Sequence, residues 1–208
     1  MIITYLGKQF FKIQQGELVI AFNPISKDSK AKEAGSRFGS VIALSTVNHP
    51  DYNGFDMVSH GDTVPFQIKG PGDYEVKDIF IKGILNATTL GGKKYINTIY
   101  SLSIEGISIC FLGAISTNKL NSEVYEQIES PDVLFVPVGN NDLLAPGDAY
   151  KIAVSLEPKI IIPMEYDAST LKAFLKEGGQ EKVLPIEKLT IKAKELIGRQ
   201  GDIIVLSS

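Results

Sequence analysis

The chain has 208 residues, enough for one domain that buries a sizeable core. Hydrophobic residues make up 44% and charged residues 22%, the balance of an ordinary globular protein, and a formal net charge of -3 with scattered lysines argues against a nucleic-acid partner. Only two histidines, His49 and His60, a single cysteine, Cys110, and no tryptophan are present, so counting excludes an intrachain disulfide and any mechanism that needs a nest of imidazoles from one chain.

Met1 leads straight into a β-rich run, with no basic head or long apolar stretch, so no signal peptide is expected. No window approaches the roughly 18 apolar residues of a membrane span, so no membrane partner is expected and the reading is a cytoplasmic protein. Strand signals dominate the first two-thirds. Residues 2–6, 10–14 and 18–22 are β-rich, with Gln15-Gly16 turning between the last two. Residues 27–38 are polar and glycine-interrupted, and read as a loop with one helical turn. The apolar run 41–46 ends in Val47-Asn48-His49-Pro50-Asp51-Tyr52-Asn53-Gly54, whose Asn, Pro, Asp and Gly turn the chain. Short strands are predicted at 63–68, 74–76 and 79–84. Gly91-Gly92-Lys93-Lys94 reads as a hairpin or surface loop, because no strand, helix and Ser/Thr flank it as a phosphate loop requires. A longer hairpin joins 96–103 to 107–112 through Glu105-Gly106, and Cys110 within it reads as a core residue.

The last third alternates. Helices are predicted at 121–129, 146–156 and 169–176, and strands at 133–138, 160–164 and 203–206. This order implies parallel pairing through right-handed crossovers. Val133-Leu134-Phe135-Val136 and Ile160-Ile161-Ile162 lack alternation, so both faces of those strands should be covered. Two mixed sheets facing each other, with helices outside, satisfy that. Their loops gather at one sheet edge, where a site is expected.

Seven segments also carry a resemblance, in order: Thr4-Tyr5-Leu6-Gly7, Ala21-Phe22-Asn23-Pro24, Asn48-His49-Pro50-Asp51-Tyr52-Asn53, Gly70-Pro71-Gly72-Asp73-Tyr74-Glu75-Val76, Phe111-Leu112-Gly113-Ala114, the stretch from Asp132 to Gly139, and Ile162-Pro163-Met164-Glu165-Tyr166. Together they resemble the metallo-β-lactamase superfamily, and within it the lactonase-like branch that includes ascorbate-6-phosphate lactonase. The resemblance implies one domain over 1–208, folded as a four-layer α/β/β/α metallo-β-lactamase-like sandwich. It also implies a zinc-dependent hydrolase site around a His-x-His-x-Asp-His loop. Here that pattern breaks. The loop's first and last histidines fall on Val47 and Tyr52, a further one near Thr88, the bridging aspartate on Ala114, the last histidine on Glu165 and the opening-turn histidine on Lys8.

Zinc needs lone pairs from imidazole, thiolate or carboxylate; Val47 and Ala114 offer none, and Tyr52 and Thr88 are poor donors at neutral pH. Two-zinc hydrolysis loses its metal-bound nucleophile and is not supported. The carry-over leaves His49, Asp51 and Glu165 as ligands of a single divalent metal, zinc or manganese, or else no metal, with His49 and Asp51 stabilising the loop. Asp51 is the best catalytic candidate. Lys8, if it points into the same pocket, disfavours a cation and neutralises Glu165. The cleft is expected to be lined by Lys8, Asn23, His49, Asp51, Asp73, Asn140 and Glu165, a mixed-charge set suited to a small polar ligand. His60 reads as an exposed turn residue. Three functions follow, in order of preference: a non-catalytic binding or scaffold role, a metal-dependent hydrolase of a small ester, lactone or phosphorylated metabolite with a reduced mononuclear site, and a homo-oligomeric structural protein.

Overall fold

The computed structural model describes residues 1–31, 37–139 and 142–208. β1 (Ile2–Tyr5), β2 (Phe11–Gln15) and β3 (Leu18–Phe22) form an antiparallel meander, which β4 (Ile42–Leu44) and β5 (Phe66–Ile68) extend in parallel. β6 (Gly72–Val76), β7 (Ile79–Leu90), β8 (Lys93–Ile104) and β9 (Ile107–Phe111) form a second antiparallel run, and β10 (Val133–Pro137) and β11 (Ile160–Met164) continue it in parallel. The chain returns to the first sheet as β12 (Lys188–Thr190), antiparallel to β1, before β13 (Asp202–Ile203) closes the second beside β11. Among the described residues the orders are β12-β1-β2-β3-β4-β5 and β13-β11-β10-β9-β8-β7-β6.

Period-two geometry explains the layers. Along β10, Val133 and Phe135 enter the core between the sheets, where they meet Phe11, Phe22 and Phe111; Leu134 and Val136 point the other way. That opposite face is covered by α1 (Ser122–Gln127), α2 (Pro146–Ser155) and α3 (Ala168–Glu177), through Val124, Ile152 and Phe174. β11 divides likewise, with Ile160 and Ile162 inward and Ile161 toward the helices, so neither strand has a wet face. The helix starts are chemically marked: Asn121 accepts the Val124 N–H at 2.8 Å, Pro146 occupies the first turn of α2, and Asp167 forms a capping box with Thr170.

The outer face of the six-stranded sheet is covered differently. Among the described residues, Phe10, Ala21 and Ala43 pack under Ile25 and under Phe55 and Val58 of a 3-10 turn, Phe55–Val58. The helical turn expected within 27–38 falls largely on residues 32–36, which lie outside the described residues. No helix among the described residues is long and apolar enough to cross a membrane.

β7 and β8 run well beyond the expected 79–84 and 96–103, meeting at Gly91-Gly92, whose φ values of 55° and 74° are those of a two-residue hairpin turn. Past Ile84 the run is rich in Asn and Thr, so backbone pairing rather than an apolar stripe holds it as strand. β12 buries only Leu189 of its three residues, too little to mark a strand by pattern. The last strand is shorter than 203–206: Ile204 still donates its N–H to the Ile161 carbonyl, but Leu206 then pairs in an isolated bridge with Ile186 instead of with β11.

Candidate functional site

The loops after β1, β3, β4, β9 and β11 converge at one edge, and backbone hydrogen bonds lash them together. The Glu165 N–H donates to the Lys8 carbonyl, the Asn23 N–H to Leu44 and the Thr98 N–H to Thr46, each at 2.8 Å. Gly113 fits only because it lacks a side chain: its φ is +67°, and a Cβ there would lie 2.3 Å from Asn97 Oδ1 and 2.8 Å from Thr46 Cβ. Lys8, Asn23 and Glu165 all hold positive φ, at 49°, 46° and 52°. For a non-glycine residue that conformation costs on the order of 1–2 kcal/mol, so the surroundings must enforce it. Part of that enforcement is visible in the Tyr5 hydroxyl, which donates to the Lys8 carbonyl at 2.8 Å.

The central feature is one cation between two carboxylates. Lys8 Nζ lies 2.8 Å from Asp51 Oδ2 and 2.8 Å from Glu165 Oε1. Glu165 Oε2 accepts from Gln9 Nε2 at 2.8 Å and from the Tyr52 hydroxyl at 3.0 Å, and Asp51 Oδ1 accepts from Ser29 Oγ at 2.5 Å. Behind them, Asn23 donates to Gln9 Oε1 at 3.1 Å and to Thr46 Oγ1 at 2.9 Å. The side chains of Lys8, Asp51 and Glu165 are 21%, 19% and 16% exposed, so the charges face one another more than solvent.

Burial works against the charge on Lys8, but Glu165 and Asp51 outweigh it and hold the ammonium above the usual lysine range. Burial likewise opposes ionisation of Asp51, yet hydrogen bonds from Lys8 and Ser29 hold its carboxyl below the usual range. Burial and the neighbouring Glu165 push the Tyr52 phenol far above its ordinary value, so it acts as a neutral donor.

A cleft of about 390 Å³ opens over this network, lined by Lys8, His49, Asp51, Tyr52, Leu90, Gly91, Lys93, Tyr95, Asp142, Leu143 and Glu165. The structure thus brings together Lys8, His49, Asp51 and Glu165 from the sequence-predicted set. Asn23 and Asp73 lie elsewhere. Asn23 is fully buried beneath the cleft, as support rather than lining, because its amide is committed to Gln9 and Thr46. Asp73 sits on the edge strand β6 opposite Lys82 and lines a different groove with Tyr74, Phe80 and Ser101. Asn140 lies outside the described residues. His60 is exposed and bridges to Thr63, and Cys110 is buried in the core. Residue patterns missed Gln9, Ser29, Lys93, Tyr95 and Asp142; the one local signal was the polar pair Lys8-Gln9 at the end of the first strand.

The donor set does not fit a metal centre. Among the described residues no three His, Cys, Asp or Glu side chains converge closely enough to hold an ion. Val47, Tyr52 and Ala114 instead form a small apolar cluster with Leu90, Tyr95 and Leu143. His49 Nδ1 accepts the Asp51 N–H at 3.2 Å, which leaves the ring proton on Nε2, and the ring packs edge-on against Tyr95 at 5.9 Å. Ser29, Asp51 and His49 form no nucleophilic relay either. Ser29 donates to the carboxylate, not to an imidazole, and His49 Nδ1 stands 3.9 Å from Asp51 Oδ1.

The model of the family described as β-lactamase superfamily domain matches residues 2–165. A protein from Listeria innocua named as a metal-dependent hydrolase is 26% identical over 226 aligned positions, covering 89% of this chain and 97% of that protein. One of similar name from Polynucleobacter asymbioticus is 35% identical over 82 positions, which span 36% of this chain and 27% of that protein. A crystal structure from Thermotoga maritima, described as a zinc-dependent hydrolase of the metallo-β-lactamase superfamily, superposes with a TM-score of 0.76 at 24% identity, over 99% of this chain and 97% of that one. The two-sheet α/β sandwich is the fold this chain shares with that crystal structure.

Proposed function

We propose, from the premise that this chain belongs to the β-lactamase superfamily domain family, that its sheet-edge cleft is a binding pocket for a small polar ligand and that no pair of metal ions serves it. The observation that carries this reading is the Lys8 ammonium, 2.8 Å from each of Asp51 and Glu165. A divalent ion bonded to both carboxylates at about 2.0–2.6 Å would stand close to Nζ. At roughly 3 Å and an effective dielectric near 20, that repulsion is on the order of 10 kcal/mol. Lysine and metal therefore exclude each other. Lys93, the His49 ring and Tyr95 line the same cleft and supply a charge, a donor and an aromatic face to a ligand. The role is that of a one-domain cytoplasmic protein.

Melting in chelator against small carboxylated, phosphorylated and lactone metabolites tests the reading. At least one compound should raise the wild-type midpoint by several degrees and fail on Tyr95→Ala. A screen in which no compound shifts the wild type counts against it. A second reading, a hydrolase with a single zinc or manganese, is supported by the relatives named as metal-dependent hydrolases and needs Lys8 to swing aside so that His49, Asp51 and Glu165, which line the same cleft, close on the ion. That reading requires ester or lactone turnover that appears with added metal and vanishes in Asp51→Asn.

A further inference from the structure

We propose that the Lys8 ammonium is a resident cation of the protein, a covalently tethered stand-in for a bound ion that ties the loops after β1, β4 and β11 into one cleft. Its contacts are those of an ion rather than of a surface lysine. Two of its N–H groups meet carboxylates 2.8 Å away on different loops, and Nζ lies 5.8 Å from the centroid of the Tyr52 ring. The other donors to those carboxylates, Ser29, Gln9 and Tyr52, are neutral. Lys8 is thus the charge that balances Asp51 and Glu165 at close range, and without it two negative charges share a partly buried site.

The backbone around the cation is held independently of its side chain. The Lys8 carbonyl accepts from the Glu165 N–H and from the Tyr5 hydroxyl, both at 2.8 Å. The φ of 49° at Lys8 suits glycine better than any other residue. Lys8→Gly therefore removes the cation without straining the chain, and the vacated space opens into the 390 Å³ cleft, through which a dissolved cation can enter. Two carboxylates favour a hard, oxygen-seeking ion such as Mn²⁺, completed by water, or a small alkylammonium that repeats the lysine head group.

The inference rests on the metal-free reading of the cleft given above, and the experiment separates their failures. Wild type, Lys8→Gly and Lys8→Asn, whose short neutral side chain tolerates positive φ and leaves the space open, are stripped with chelator, melted, and melted again in about 1 mM Mn²⁺ or in excess methylammonium. The expected result is that both variants melt lower than wild type and recover at least half of the loss with either cation. Wild type should be indifferent. Mn²⁺ titration followed by electron paramagnetic resonance should give about one ion per variant chain, at least ~10-fold tighter than in wild type, and adding Asp51→Asn should abolish it. If the variants unfold in chelator, refolding on addition of Mn²⁺ or methylammonium supports the proposal, and failure to refold overturns it. Folded variants that take up no cation overturn it while leaving the metal-free reading intact. Stoichiometric metal in the wild type defeats both.

Discussion

Glu165→Gln removes one of the two counter-charges of Lys8 while keeping the side chain's shape. The carboxylate accepts from Lys8 at 2.8 Å, from Gln9 at 2.8 Å and from Tyr52 at 3.0 and 3.2 Å, and its side chain is 16% exposed. Glutamine keeps the shape but turns one acceptor oxygen into a donor, which must then face either the Lys8 ammonium or the Gln9 amide, both donors themselves. The change removes a charge-assisted hydrogen bond, leaves a donor opposed to a donor, and strips Lys8 of one of its two counter-charges. Water entering from the cleft relieves part of this. The net cost is about 2–4 kcal/mol, which in a chain of this size lowers the melting midpoint by roughly 5–15 °C. Urea unfolding followed by circular dichroism measures it, with the exposed Glu181→Gln as a control that should stay within about 0.5 kcal/mol. Equal stability of Glu165→Gln and wild type would refute the idea that this carboxylate is a structural keystone of the cleft.

Other changes follow from the same structure. Gly113→Ala places a methyl group 2.3 Å from Asn97 Oδ1 on a backbone at φ +67°, and should cost more than about 3 kcal/mol, whereas Gly91→Ala, with nothing within 4 Å, should cost about 1 kcal/mol in the same unfolding assay. At Asp132, burial opposes ionisation, but hydrogen bonds from Lys159 and Ser108 outweigh it and hold the carboxyl below its ordinary value of 3.8. The folded state therefore binds that proton less readily than the unfolded chain, so the group stabilises the fold above the ordinary value and loses that contribution as pH falls through the lower folded one. Asp132→Asn should be about 1–2 kcal/mol less stable than wild type at pH 7 and converge with it in strong acid, as read from unfolding at stepped pH. The β6–β7 turn holds Lys77 and Asp78 at φ 53° and 61°, a pair of left-handed residues without glycine. Replacing them by Asn-Gly should raise stability by roughly 0.5–1 kcal/mol; a lower midpoint would contradict the turn assignment.

Much of the fold is written locally. Val133-Leu134-Phe135-Val136 and Ile160-Ile161-Ile162 have no polar face, and the structure covers both sides of each, one with the opposing sheet and one with helices. The strand of residues 188–190 escaped because a single buried leucine carries no period, and the arm beyond Ile84 because its order comes from backbone pairing. The site is legible in a different sense. Ordered resemblance placed Lys8, Asp51 and Glu165 near one another, and the opposite charges of Lys8 and Glu165 foretold an interaction if their side chains met. The equal share that Asp51 takes in the Lys8 bridge was not legible, since it depends on where the loop of residues 47–54 brings one carboxylate oxygen. Asn23 misled for the same reason. A polar residue at a strand end looks like cleft lining, yet its neighbours Gln9 and Thr46 draw the amide under the floor. Asp73 misled because β6 lies at the edge of its sheet, where it lines another groove.

The most direct test is diffraction from crystals of wild-type protein purified without chelator, with anomalous data collected at the zinc and manganese absorption edges. Continuous density for Lys8 should reach between Asp51 and Glu165, with no anomalous peak in the cleft. A peak between those carboxylates, with the lysine swung aside, would contradict the metal-free reading of the cleft.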